Sequence, residues 1–122
     1  MSTVFYTSDL HIGHRLVANE RAERAGVMLP AVFRTPEETD EAIVAWHDDT
    51  LAKNWDKVVS PSDMVVVVGD ISAGGSASWR RALSWISQRP GRKRLVAGNH
   101  DPVHGMHRDA FKHFAAFMES FE

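Results

Sequence analysis

Met64-Val65-Val66-Val67-Val68, closed at once by Gly69-Asp70, limits what this chain can fold into more than any other segment. An uninterrupted β-branched run of this length is short for a helix and lacks the alternation of a half-exposed strand. It predicts a central strand of a parallel sheet, covered on both faces. Two other runs repeat the pattern: Val4-Phe5-Tyr6-Thr7 leads into Ser8-Asp9-Leu10-His11, and Arg94-Leu95-Val96-Ala97 leads into Gly98-Asn99-His100-Asp101. Each strand thus ends in carboxylates, imidazoles or an amide. At the carboxyl ends of neighbouring parallel strands such side chains converge in the crevice where open α/β sheets bind ligands.

The segments between the strands read as helices. Thr35-Pro36-Glu37-Glu38 combines an N-cap threonine, proline at the first helical position and glutamate at the third, a reciprocal capping box. Beyond it, Ala42, Ile43, Trp46, Thr50 and Leu51 form an inward stripe, with Glu41, Asp48, Asp49 and Lys53 facing away and Trp46 read as core. Residues 14–24 suggest a short, less regular helix, and residues 26–30 an irregular loop. After the glycine-serine stretch 72–76, Trp79, Ala82, Leu83 and Ile86 share a face opposite Arg80, Arg81 and Gln88, and Pro90-Gly91 ends that helix. A last helix from about residue 108 is expected to turn Phe111, Phe114, Ala115 and Met118 inward. The order β-α-β-α-β-α argues for an α/β fold with a parallel sheet, right-handed crossovers and one domain over residues 1–122.

Composition narrows the chemistry. A formal charge of −2 leaves no basic surplus for holding a nucleic-acid backbone by charge alone. With no cysteine, any metal must be held by oxygen and imidazole nitrogen. The opening residues lack the basic start and apolar stretch of a secretion signal, and no segment is long enough to span a bilayer, so a cytoplasmic, non-membrane protein is the expectation.

Asp9 and His11 alternate by two, so a strand continuing to His11 would project both to one side. Alone, the pair also fits a turn aspartate beside a surface histidine, and Asp70 alone fits a common Gly-Asp turn. Asn99, His100 and Asp101 follow a glycine that lets the backbone pass close to a ligand. Three such clusters, all after strands, supply hard or borderline donors suited to Mn²⁺, Fe, Zn²⁺ or Ni²⁺. His14 either reaches substrate phosphate or the second metal, or is a solvated histidine at a helix start. His104, His107 and His113 read as surface histidines. Arg15, Arg34 and Arg92 either meet phosphate oxygens or serve as solubilising charges.

Asp9-x-His11, Gly69-Asp70 and Gly98-Asn99-His100-Asp101 resemble the first three signature blocks of the calcineurin-like metallophosphoesterases. The stretches Ser8 to His14, Pro61 to Asp70 and Pro90-Gly91-Arg92-Lys93 look like the small bacterial and bacteriophage members, and the similarity covers most of the chain. The resemblance implies the N-terminal half of that family's α/β sandwich. It also implies one or two divalent ions, Mn²⁺ foremost, with Asp9 and His11 on the first, Asp70 bridging and Asn99 on the second. His100 would be the catalytic histidine, with Asp101 orienting it or capping a turn. The implied activity is hydrolysis of a phosphoester, a nucleotide or nucleic-acid derivative among the candidates, by in-line attack of a metal-activated hydroxide on phosphorus.

The family completes its metal shells with an isolated histidine and a Gly-His-x-His block, and neither follows His113 here. Two functions are therefore weighed: a metal-dependent phosphodiesterase or phosphatase, and a degenerate module that binds a partner protein. In either case a homo-oligomer or a second polypeptide is expected to complete the fold. A nucleotide-binding or receiver-like domain fits less well, since no glycine-rich phosphate loop follows the first strand.

Overall fold

The three runs become short strands, β1 (Val4–Ser8), β2 (Met64–Val68) and β3 (Arg92–Val96), the last beginning two residues earlier and ending one earlier than expected. They form one parallel sheet in the order β1-β2-β3, in register Val4↔Met64↔Arg92 through Ser8↔Val68↔Val96. The computed structural model describes residues 2–28, 35–72 and 75–122. The helices are α1 (Arg15–Ala25), α2 (Pro36–Val58), α3 (Ser76–Ser87) and α4 (Phe114–Met118), the last preceded by a 3₁₀ turn over Ala110–His113. None of them is long and apolar enough to cross a membrane.

The predicted capping box is present: Glu38 N donates to Thr35 Oγ1 at 3.1 Å and Thr35 N to Glu38 Oε2 at 3.4 Å, with Pro36 at the first helical position. At the other end of α2, Trp55 is buried and its Nε1 donates to Pro90 O at 2.9 Å, tying the helix to the turn before β3. In α3 the buried residues are the expected Trp79, Ala82, Leu83 and Ile86. Together with Val65 and Val67 of β2, Ile71, Phe117 and Phe121, they form the core.

Successive strands advance across the sheet in one direction, so right-handed crossovers put their helices on one side. The core correspondingly lies against the face carrying Val65 and Val67. The opposite face presents Val4 at 53%, Tyr6 at 74%, Val68 at 42% and Val96 at 55% exposure. The expectation that β2 is covered on both faces is thus corrected: among the described residues only one face is covered.

Two helix faces also differ from expectation. The buried residues of α2 are Val44, His47, Asp48 and Trp55, whereas Trp46 is half-buried. The helix packs against α1 through one flank and the sheet through another, which turns its most buried line away from the apolar stripe. Near the end of the chain, Phe111, Phe114 and Met118 stay exposed while Ala110, Phe117 and Phe121 are buried. The 3₁₀ turn advances by three residues per turn rather than 3.6, which shifts the phase of everything after it. Phe117 then meets Trp79 at 5.6 Å between ring centroids.

Candidate metal centre

β1 stops at Ser8, so Asp9 and His11 do not converge by strand alternation as expected. The chain instead runs on beside the segment after β2. Asp9 N donates to Gly69 O at 3.2 Å, His11 N to Asp70 O at 3.2 Å and Ile12 N to Ile71 O at 2.8 Å. Leu10 and Ile12 anchor this loop in the core, as Ile71 anchors the other. The residues between those anchors, Asp9, His11 and Asp70, project to the open end of the sheet. Each offers a ligand atom, and the three atoms lie within 4.8 Å of one another.

The same three are the non-glycine residues with positive φ among the described residues: Asp9 at 52°, His11 at 49° and Asp70 at 51°. Left-handed backbone at a non-glycine residue costs about 1–3 kcal/mol and concentrates at functional sites. Aspartate tolerates it best of the two residue types here. All three ligand candidates thus share one backbone conformation.

Two observations on His11 fit a cation. Its Nδ1 is buried and makes no hydrogen bond among the described residues. Burial, helped by the charges of His14 and Arg21, also holds its pKa below the ordinary histidine value, against the opposing pull of Asp70 and Asp9. That favours the neutral imidazole, the form that ligates metal. Nε2 stands 4.0 Å from Asp9 Oδ1. Two carboxylates and one imidazole form a hard-to-borderline donor set matching Mn²⁺, Fe or Zn²⁺.

The loop after β3 closes the site through Asp101. This carboxylate is fully buried and accepts three amide hydrogen bonds: Oδ2 from Gly98 N at 2.7 Å and Asp70 N at 2.9 Å, and Oδ1 from Ile71 N at 3.0 Å. Asp101 is therefore a clasp between the second and third clusters: of its two expected roles, orienting His100 or capping a turn, these contacts belong to the second, its oxygens being turned to main-chain amides. His100 N donates to Asp70 Oδ1 at 3.0 Å, which brings the exposed Asn99 and His100 alongside Asp70. A Cβ on Gly98 would lie 2.7 Å from Asp70 N, so only glycine permits this approach.

The remaining histidines have contacts that the sequence did not suggest. His14 caps α1, its Nδ1 accepting from Val17 N at 3.4 Å, and its ring lies 5.3 Å edge-on from that of His11. His107, expected as a surface residue, donates from Nε2 to Asn99 O at 2.7 Å and so holds the third cluster. His113 packs on Trp79 at 5.2 Å, and His104 Nδ1 accepts from Met106 N at 3.1 Å. Arg92 pairs with Glu122 at 2.6 Å at the start of β3, the end of the sheet opposite the site. Arg15 pairs with Asp40 at 3.6 Å, and Arg34 lies outside the described residues.

The sequence reading also missed His47 and Asp48. A faint signal lay in the spacing, since Asp48 sits four residues after Val44 and three before Leu51, but nothing in the helix itself shows the partners that bury it.

A family model described as calcineurin-like phosphoesterase matches residues 2–121. The gene 66 protein of Mycobacterium phage L5 is 44% identical over 122 residues, and the chain covers 51% of it. That of Mycobacterium phage D29 is 46% identical over 110 residues, 90% of this chain and 46% of that protein. The chain thus spans about half the length of these relatives. A crystal structure of a protein of unknown function from Aquifex aeolicus shares the fold with a TM-score of 0.57 at 22% identity, over 99% of this chain and 50% of the other.

Proposed function

The chain belongs to the calcineurin-like phosphoesterase family, and from that premise we propose that it serves a divalent-metal-dependent phosphoester hydrolase. The observation that carries the reading is the convergence of Asp9, His11 and Asp70, from two separate clusters, within 4.8 Å. These three would hold the cation, Mn²⁺ first among the candidates, and Asn99 would add its amide oxygen. When bound, a divalent ion supplies Lewis acidity to phosphoryl oxygens and lowers the pKa of water.

The chain's own residues do the rest. Asp9 and Asp70 would supply the negative charge that attracts the cation, and the His100 amide fixes one Asp70 oxygen. The exposed His100 imidazole would protonate the leaving alkoxide or neutralise phosphoryl oxygens, a contribution of about 10² to 10⁴ in rate. The proposed substrate is a phosphodiester or phosphomonoester, and the proposed compartment is the cytoplasm.

The test uses bis-para-nitrophenyl phosphate with Mn²⁺, alongside direct Mn²⁺ titration. Turnover and binding that are both lost in Asp70→Ala support the reading. Absence of Mn²⁺ binding by the wild-type chain, or turnover unchanged by Asp70→Ala, rejects it.

A second proposal rests on the exposed sheet face carrying Val4, Tyr6, Val68 and Val96. The same face carries the exposed Arg92 and Arg94, and exposed apolar surface rimmed by polar residues marks an interaction site. We propose that a second copy of the chain covers it. A binding module without catalysis is the reading that would remain if this face associates and the metal test fails.

A further inference from the structure

We propose that Arg21, His47 and Asp48 form a two-ended clamp that sets the geometry of the ligand loop 9–13, and are positioning residues for Asp9 and His11. The proposal rests on the reading of Asp9, His11 and Asp70 as a cation site. It starts from the guanidinium of Arg21, which projects from α1 onto the beginning of the loop. Nη2 donates to Asp9 O at 2.7 Å and Nη1 to Leu10 O at 3.3 Å. The same Nη1 lies 2.7 Å from His47 Nε2.

A guanidinium has donors and no acceptor, so this contact requires a lone pair on Nε2 and leaves the ring proton on Nδ1. Nδ1 then donates to Asp48 Oδ1 at 2.8 Å. Asp48 in turn takes hold of the far end of the loop: both its oxygens accept from Gly13 N at 3.2 Å, and Oδ2 also accepts from Arg81 Nη2 at 3.1 Å. One chain of contacts therefore runs from the backbone of Asp9 to that of Gly13, outside the loop and away from its ligand atoms.

Burial strengthens the case. His47 is 2% and Asp48 5% exposed, on a helix whose other buried positions are apolar. Trp85 Nε1 donates to Asp48 O at 3.2 Å, so the helix itself is pinned where the carboxylate points. Between the two grips lie Asp9 and His11, both in left-handed backbone that a free loop would leave. Residues outside a metal site that orient its ligands typically change metal affinity by about 10- to 100-fold when mutated.

The experiment measures Mn²⁺ affinity by calorimetric titration on the whole chain, with far-UV circular dichroism and thermal unfolding of the metal-free protein recorded for each variant. His47→Leu removes both contacts of the ring and is expected to weaken Mn²⁺ binding about 10- to 100-fold. His47→Gln, which keeps an acceptor toward Arg21, and His47→Asn, which keeps a donor toward Asp48, should each recover part of that loss. Arg21→Met, at a half-buried position, carries the same expectation if His47→Leu does not fold.

A merely structural role would lower thermal stability while the folded protein bound Mn²⁺ as the wild type does. That result overturns the clamp and leaves the metal site standing. Wild-type protein that does not bind Mn²⁺ overturns both, and loss in Asp70→Ala with wild-type affinity in His47→Leu and Arg21→Met separates the two.

Discussion

Asp101 holds Asp70 by its backbone: Oδ2 accepts from the Asp70 amide at 2.9 Å across 31 positions of sequence. The side chain of Asp70 is thereby left to the site while its main chain is fixed from behind. Asp101 also accepts from Ile71 N and Gly98 N, so it joins the ends of β2 and β3 in a place without solvent. Removing the carboxylate leaves three amides without that partner, at about 1–3 kcal/mol for each buried group unsatisfied. Asp101→Ala is therefore expected to lower unfolding stability by about 3 kcal/mol or more, read from urea midpoints. A loss under 1 kcal/mol would show that the clasp is dispensable.

Gly98→Ala should act on the site more than on the fold. An added methyl would meet the Asp70 carboxylate and lie 2.7 Å from its amide nitrogen, displacing the ligand it touches. At Gly105 nothing lies within 4 Å of the equivalent methyl. Mn²⁺ titration should show at least tenfold weaker binding for Gly98→Ala, the scale on which displaced ligand supports act, and wild-type binding for Gly105→Ala. Equal behaviour of the two variants would contradict the close approach.

Asp63 fastens the N-terminal strand to the turn before β2: its oxygens accept from Thr3 N and Ser60 N, each at 2.8 Å. Those amide bonds, Ser60 first and Thr3 second, hold its pKa below the usual aspartate value. A carboxylate depressed in the folded state contributes stability in full above its unfolded pKa, near pH 4. That contribution is lost as pH falls through the lower folded value. Asp63→Asn should therefore be less stable than wild type at neutral pH, with the gap narrowing as the pH is lowered below about 4. Denaturation midpoints across an acid series check this; a gap that is constant with pH would mean the carboxylate's charge plays no part.

The bare sheet face gives a prediction about association. If a second copy covers Val4, Tyr6, Val68 and Val96, the double variant Tyr6→Lys, Val68→Lys should shift the wild-type species to monomer in light scattering. Val68 and Val96 are neighbours in register, so a charge at one places it directly against the other. A monomeric wild-type chain at high concentration would rule out self-pairing.

The family and the parallel three-stranded sheet were legible because short-range signals agreed. β1 and β2 are runs of β-preferring residues ended by a turn, β3 carries Leu95 and Val96 before its own turn, and the capping box at Thr35 is a local device that tertiary packing did not need to supply. The ligand candidates were legible as residues but not as geometry, since the left-handed conformations of Asp9, His11 and Asp70 arise from pairing between segments some 60 positions apart. Asp48 was read as outward because charged helix residues usually are. Its burial depends on a loop amide and on Arg81, neither of which its own segment encodes. His107 was hidden for the same reason: its partner is a main-chain oxygen, which every residue carries.

The left-handed ligands also set stability and function against each other. Glycine at position 9 would adopt the φ of 52° without a steric penalty, and Asp9 is exposed, so little packing would be lost. A chain selected only for resistance to unfolding would drift toward glycine there and surrender its grip on an ion. An aspartate held in that posture thus sets endurance against work, a tension written into one backbone angle.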